Sequence, residues 1–169
     1  LGADLPKAAP AARAPIDMDA SPALSILEQG QPPMQGRKVA ILFDEGSDLS
    51  SIQSIKGAVE KAGGSVFLVA PKIGPLKVKG GSLKADGQLA GSPSVLFDAV
   101  VSILMPPNAE RLAKDGAAKQ WFSDAYGHCK TIGHCKGTQV ILDACGIEKD
   151  SGVVPLDQFA AVAPARHWD

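Results

Sequence analysis

A strand–helix–strand pattern over residues 38–70 narrows the fold more than any other feature of the chain. Lys38-Val39-Ala40-Ile41-Leu42-Phe43 is a short, continuous apolar run bounded by charged and turn residues, the pattern of a strand buried on both faces of a parallel sheet. After Asp44-Glu45-Gly46, Ser47 is placed to cap a helix whose first turn carries Asp48, favourable at the positive end of the helix dipole. Ile52, Ile55, Val59 and Ala62 then recur at i, i+3, i+7 and i+10, and Gly63-Gly64 stops the segment. Val66 to Ala70 repeats the buried-strand pattern and ends at Pro71. Two such strands joined by one helix make a right-handed βαβ unit, so the fold class is α/β with a mostly parallel sheet.

The remaining chain extends this architecture. Gly74 to Gly91, rich in Gly and Lys with short alternations, suits a small antiparallel excursion or an extended loop. Phe97 to Leu104 reads as a third parallel strand, stopped by Pro106-Pro107. Asn108 can cap a short helical turn. Ala117 to Tyr126 carries Trp121, Phe122, Ala125 and Tyr126 on one stripe, a helix packed on the sheet. Thr131 to Cys135 is a short strand that runs through Lys136-Gly137 into a helix at Thr138 to Ala144, with Val140, Ile141 and Ala144 inward. Asp150-Ser151-Gly152 is a turn, and Leu156 to Val162 a final short helix.

Ahead of this body lies a different composition. Six of the 13 prolines fall in the first 35 residues, where an even spread would place about three, so residues 1–35 read as an extended linker arm. Its one apolar cluster is Leu24, Ile26 and Leu27. The start at Leu1, without a Met or a signal peptide, suggests a piece of a longer chain. Seventeen basic residues against 18 acidic ones leave a formal charge of −1, without the basic footprint of a nucleic-acid or anionic-membrane binder. No apolar run reaches the roughly 18 residues of a membrane span. Three cysteines at no scaffold spacing point to reduced thiols and a cytoplasmic location.

The chemistry-bearing point is Gly133-His134-Cys135-Lys136-Gly137, where a strand turns into a helix through a glycine, the geometry of a nucleophile elbow. Helix dipole and Lys136 could lower the Cys135 pKa, with His134 or a distant acid as base and the following N–H groups as an oxyanion hole. Against this, free cysteines usually act as small buried hydrophobes, and successive strand residues face opposite ways, which places His134 poorly. His128-Cys129 and His134-Cys135, with Cys145 beyond, lack the close ligand pairs of a structural zinc site, so no metal is expected. Three acids in the Asp44-Glu45-Gly46-Ser47-Asp48 loop and the lack of a glycine-rich phosphate motif disfavour nucleotides and flavins.

The segments KVAILFDEGSD, VEKAGG, SVFLVAP, FDAVVSILMPP and KTIGHCKGTQVILDA resemble the DJ-1/PfpI branch of the class I glutamine-amidotransferase-like fold, over about residues 36 to 147. SPALSIL followed by GRKVAIL, and FDAVVSILMPPNAERLAKDGAAKQWFSDAYGHCKTIG, resemble more specifically the carboxy-terminal domain of large-subunit monofunctional haem catalases. The resemblance implies a flavodoxin-like, DJ-1-like three-layer sandwich over residues 36–150, an interdomain linker at 1–35 and a carboxy-terminal tail at 151–169. Cys135-Lys136-Gly137 keeps the family's C-x-G, with Lys136 in place of a frequent His. The family's Glu falls near Ser51, with Asp48 the nearest acid. Matching Lys130-Thr131-Ile132 to the family's K-P-I without a gap places Lys136 at the nucleophile position instead. The elbow of His134, Cys135 and Lys136 therefore reads as vestigial. The resemblance implies that haem and the peroxide reaction belong to preceding domains, that Tyr126 is no haem ligand, and that the partners are those domains, a tetramer of the parent and unfolded client proteins. The alternative is a stand-alone DJ-1/PfpI-type thiol enzyme, a glyoxalase, deglycase or peptidase using Cys135.

Overall fold

The apolar runs become neighbouring strands of one sheet in the computed structural model, which describes residues 7–25, 30 and 32–168. Lys38–Phe43 forms β1, Leu49–Lys61 α1 and Ser65–Ala70 β2; Pro75–Val78 and Gly81–Lys84 form β3 and β4, and Gly87–Gln88 forms β5. Ala99–Ile103 is β6, Pro106–Leu112 α2, Gly116–Gly127 α3, Ile132–His134 β7 and Gln139–Ala144 α4. Val153–Pro155 is β8 and Leu156–Val162 α5. The main sheet runs β5-β2-β1-β6-β7-β8, parallel at each pairing. The hairpin of β3 and β4 is the antiparallel excursion expected between residues 74 and 91.

Alternation along β1 sorts the core into two layers. Val39, Ile41 and Phe43 meet Ile52, Ile55 and Val59 of α1 and Phe159 of α5 on one face. Ala40 and Leu42 face Leu112 of α2, Trp121 and Phe122 of α3, and Ile141 and Leu142 of α4 on the other. Helices thus cover both faces, as a parallel sheet requires, and the architecture is the three-layer α/β sandwich expected.

Several local expectations are corrected. The cap of α1 is Asp48, whose carboxylate accepts from Ser51 N at 2.9 Å. Ser47 turns inward, donating to Ile103 O at 2.6 Å. Ala62 ends the helix exposed instead of packing. Pro106-Pro107 stops β6 but also opens α2, because proline is tolerated in a first helical turn where no N–H is needed; Asn108 lies inside that helix and does not cap it. On α4 the buried pair is Ile141 and Leu142, while Val140 is exposed. Residues 151–168 carry more than the expected tail with a short helix, since β8 completes the sheet against β7 and Phe159 of α5 is fully buried.

The chain divides into two units, residues 1–30 and 31–169. In the first, residues 7–24 are exposed and carry one 3-10 turn at Pro22–Leu24. Leu24 of the expected apolar anchor is exposed; Ile26 and Leu27 lie outside the described residues. The second unit starts before the expected boundary at 36, because Met34 is buried in the core beside Val39 and Val59.

Candidate functional site

Sheet order reverses between β1 and β6, and in such sheets ligands bind beyond the carboxyl ends of the strands at the reversal. Here that position is spanned by hydrogen bonds and an ion pair within the protein. Asp44, at the end of β1, is buried and ion-paired with Arg111 of α2. Asn108 of α2 donates to Glu45 O at 2.5 Å, and Ser47 Oγ accepts from Asp44 N at 2.9 Å while donating to Ile103 O. The β1–α1 loop is thereby laced to β6 and α2 across the crevice. The acidity that counted against phosphate is partly spent inside the protein, since Asp44 holds Arg111 and Asp48 holds its cap.

Beside this closure sits the expected elbow. Cys135 follows β7 with φ −91° and ψ 168°, and opens a 3-10 turn at Lys136–Thr138. The thiol accepts from Leu104 N at 3.4 Å and lies 3.3 Å from Leu104 O and 3.4 Å from Thr138 Oγ1. Ser102 Oγ donates to Thr138 Oγ1 at 3.0 Å. A Cβ on Gly137 would lie 2.4 Å from Leu104 O, so only glycine lets the turn press this closely on the end of β6. A nucleophile elbow holds its residue on a sharp, strained turn that exposes the reacting atom. Neither Cys135 nor Lys136 is in the left-handed region; among the described residues the one non-glycine residue there is Cys129, at φ 54°.

The other candidates are not brought to the thiol. His134 Nδ1 lies 3.4 Å from Cys135 O, the main chain rather than the sulfur, and burial lowers its pKa. Lys136 is exposed. Asp48 is held by hydrogen bonds from Ser50 and Ser51, with Lys79 Nζ at 3.9 Å. These hydrogen bonds, Ser50's first, lower its pKa to about 2, which fixes it as an ionised cap. The hydrogen-bond partners of Asp48 and of Cys135 share no member.

The two His-Cys pairs stand at opposite ends of β7, and Cys145, 3.6 Å from Lys119 O, has its pKa raised by burial. Among the described residues no group of three or more His, Cys, Asp or Glu side chains is placed to hold a metal ion, and no helix is long and apolar enough to cross a membrane. Desolvation and the charge of Asp150 raise the pKa of Tyr126.

Sequence reasoning missed the Asp44–Arg111 pair, the Asn108 bridge and the Ser102–Thr138 contact. Their signal is present only once β1 and β6 are known to be neighbours: Asp44 then follows one strand and Arg111 lies on the helix after the next.

Residues 35–165 match the family model described as the C-terminal domain found in long catalases. The chain is 37% identical over 163 residues to Catalase C of Rhizobium meliloti (strain 1021), covering 94% of this chain and 23% of that protein. It is 29% identical over 164 residues to Catalase HPII of Pseudomonas putida, covering 96% of this chain and 23% of that protein. It therefore spans about a quarter of the length of these curated relatives. Among solved structures, a ThiJ/PfpI domain protein from Brachyspira murdochii superposes with a TM-score of 0.61 at 18% identity, covering 76% of this chain and 75% of that one. Oxidized DJ-1 of Toxoplasma gondii gives 0.59 at 21% identity, covering 66% and 62%. At these identities the structural likeness establishes the fold alone.

Proposed function

Because the chain belongs to the family of C-terminal domains found in long catalases, we propose that it serves as a non-catalytic accessory domain of such an enzyme. The parent would convert two hydrogen peroxide molecules to two waters and dioxygen at a haem held by the preceding domains, in the cytoplasm. The domain's own contribution would be to stabilise the parent's tetramer and to shape access to the haem. Holding unfolding clients is a further role, resting on the exposed Leu24 of the amino-terminal unit.

One observation supports the non-catalytic part of this reading. The position where a DJ-1-like fold presents a nucleophile holds a thiol in relaxed backbone, engaged with Leu104 and Thr138, beside a crevice spanned by the Asp44–Arg111 ion pair. Removing residues 35–165 from the parent should leave peroxide turnover per haem within about twofold while shortening its half-life on heating and loosening the tetramer. Loss of turnover in the intact, haem-loaded tetramer would overturn the reading. The thiol-enzyme alternative requires rapid, selective alkylation of Cys135 by iodoacetamide below pH 7. Slow modification of all three cysteines is the expected result.

A further inference from the structure

At the sheet edge opposite Cys135, before β6 and β7 begin, lies a cleft of about 470 Å3 whose walls include Val95 and Leu96 on one side and Arg166 and Trp168 on the other, with Lys130 between them. Six large apolar side chains are exposed among the described residues of the second unit, and three of them, Val95, Leu96 and Trp168, line this one cleft. Leu96 is 64% exposed and Trp168 59%. Clustering of this kind marks an interaction surface, whereas single exposed apolar residues do not.

Both walls are held in place by polar groups, those of the first wall buried. Lys130, only 6% exposed, donates from Nζ to Ser94 O at 2.8 Å and Phe97 O at 2.7 Å, fixing the two ends of the turn that displays Val95 and Leu96. Trp121 Nε1 donates to Ser92 O at 3.0 Å just before that turn. On the other wall Arg166 Nη1 donates to Asp98 O at 2.8 Å, and the His167 N–H donates to Cys129 O at 2.9 Å, setting the position of Trp168. Burying an ammonium group is costly, and here it rigidifies a turn whose apolar side chains face solvent. Such pre-organisation lowers the entropy lost when a partner arrives.

The cleft also indicates its occupant. Its charged groups are already engaged, Asp98 with Arg37 at 3.0 Å and with Arg166 at 3.9 Å, and the Lys130 ammonium with two carbonyls; what the cleft offers a partner is the apolar surface of Leu96 and Trp168, and an apolar segment is the complementary chemistry. Asp98 also accepts from Lys38 N at 2.9 Å at the start of β1. The Rhizobium and Pseudomonas catalases have about three quarters of their length outside the matched region, which is matched as their C-terminal domain.

We propose that the cleft between Leu96 and Trp168 is the face on which the preceding portion of the long chain docks, through an apolar anchor. This rests on the accessory-domain reading. The test purifies the native protein from its source, weighs it, and compares its hydroxyl-radical footprint with that of the 169-residue polypeptide, using buried Trp121 as internal reference. The expected result is a chain about four times longer in which oxidation of Trp168 and Leu96 falls at least fivefold, and in which Leu96→Asp restores Trp168 oxidation without changing the far-ultraviolet dichroism. A long chain with Trp168 and Leu96 labelled as in the polypeptide overturns the docking face and leaves the accessory reading standing. A native chain of about 17 kDa overturns the accessory reading and the docking face with it. A 169-residue polypeptide that runs at twice its mass, and returns to monomer with Leu96→Asp, assigns the cleft to a second copy and likewise overturns the proposal.

Discussion

Replacing Gly137 by alanine tests whether the turn after β7 is clamped to the end of β6. The new Cβ would lie 2.4 Å from Leu104 O, whereas carbon–oxygen contacts settle at about 3.3 Å or more, so turn and strand must separate by about 1 Å. Both partners are main chain, and neither can rotate away. Overpacking of this kind costs about 1–3 kcal/mol. The same movement stretches the Cys135–Leu104 contacts of 3.3 and 3.4 Å, worth about another 1 kcal/mol. For a unit of this size each kcal/mol shifts Tm by about 3 °C, so Gly137→Ala should unfold about 6–12 °C earlier in calorimetry. The control is Gly57→Ala in the middle of α1, where nothing lies within 4 Å of a new Cβ. It removes a helix-interior glycine and should raise Tm by about 1.5–3 °C, from a gain of about 0.5–1 kcal/mol. If Gly137→Ala melts within about 2 °C of the parent sequence while Gly57→Ala rises, the turn has slack and the closed-site argument fails.

Acid should weaken the fold in two windows. Burial lowers the pKa of His134, so below its ordinary value of 6.5 the unfolded chain binds a proton that the folded one still refuses, and stability falls as pH drops. Asp48, held at about 2 against 3.8, contributes stability above 3.8 that is lost as pH falls toward 2. Urea midpoints measured from pH 7 to 2 should decline through both, with His134→Gln flattening the upper window and Asp48→Ala the lower; unchanged slopes would refute the assignments. Lys130→Met strands the carbonyls of Ser94 and Phe97 and should destabilise by about 1–3 kcal/mol in urea unfolding. A neutral result would show that the ammonium's burial cost cancels its bonds.

The elements legible in the sequence are those with enough residues to carry a period or a run. β1, β2 and β6 are continuous apolar stretches, and α1 and α3 show their faces through Ile52, Ile55 and Val59 and through Trp121, Phe122 and Ala125. β5 and β8, of two and three residues, are too short for either signal, and tertiary pairing alone makes them strands. A six-residue helix such as α4 completes fewer than two turns, so Val140 and Leu142 could not be ranked by spacing. At the site, the thiol's place at the end of β7 followed from the glycine after it. Its relaxed backbone and its partners did not, because Leu104 and Thr138 reach it through the sheet order and through a hydroxyl whose direction no pattern encodes.

The two edges of the sheet are built to opposite ends. At the carboxyl edge, where strand order reverses and a fold of this kind can hold a ligand, Asp44, Ser47, Asn108, Arg111 and Cys135 spend their polar groups on one another and on main chain. A crevice laced in this way gains stability, and a ligand entering it would have to displace bonds already made. At the amino edge the same kind of polar group is spent differently. Lys130, Arg166 and His167 hold backbone in place, and the side chains this fixes, Leu96 and Trp168, are apolar and exposed. Under the docking proposal these side chains are held ready for the surface that covers them. The polar groups at one end of the strands thus close on the protein itself, and those at the other hold an apolar surface in place.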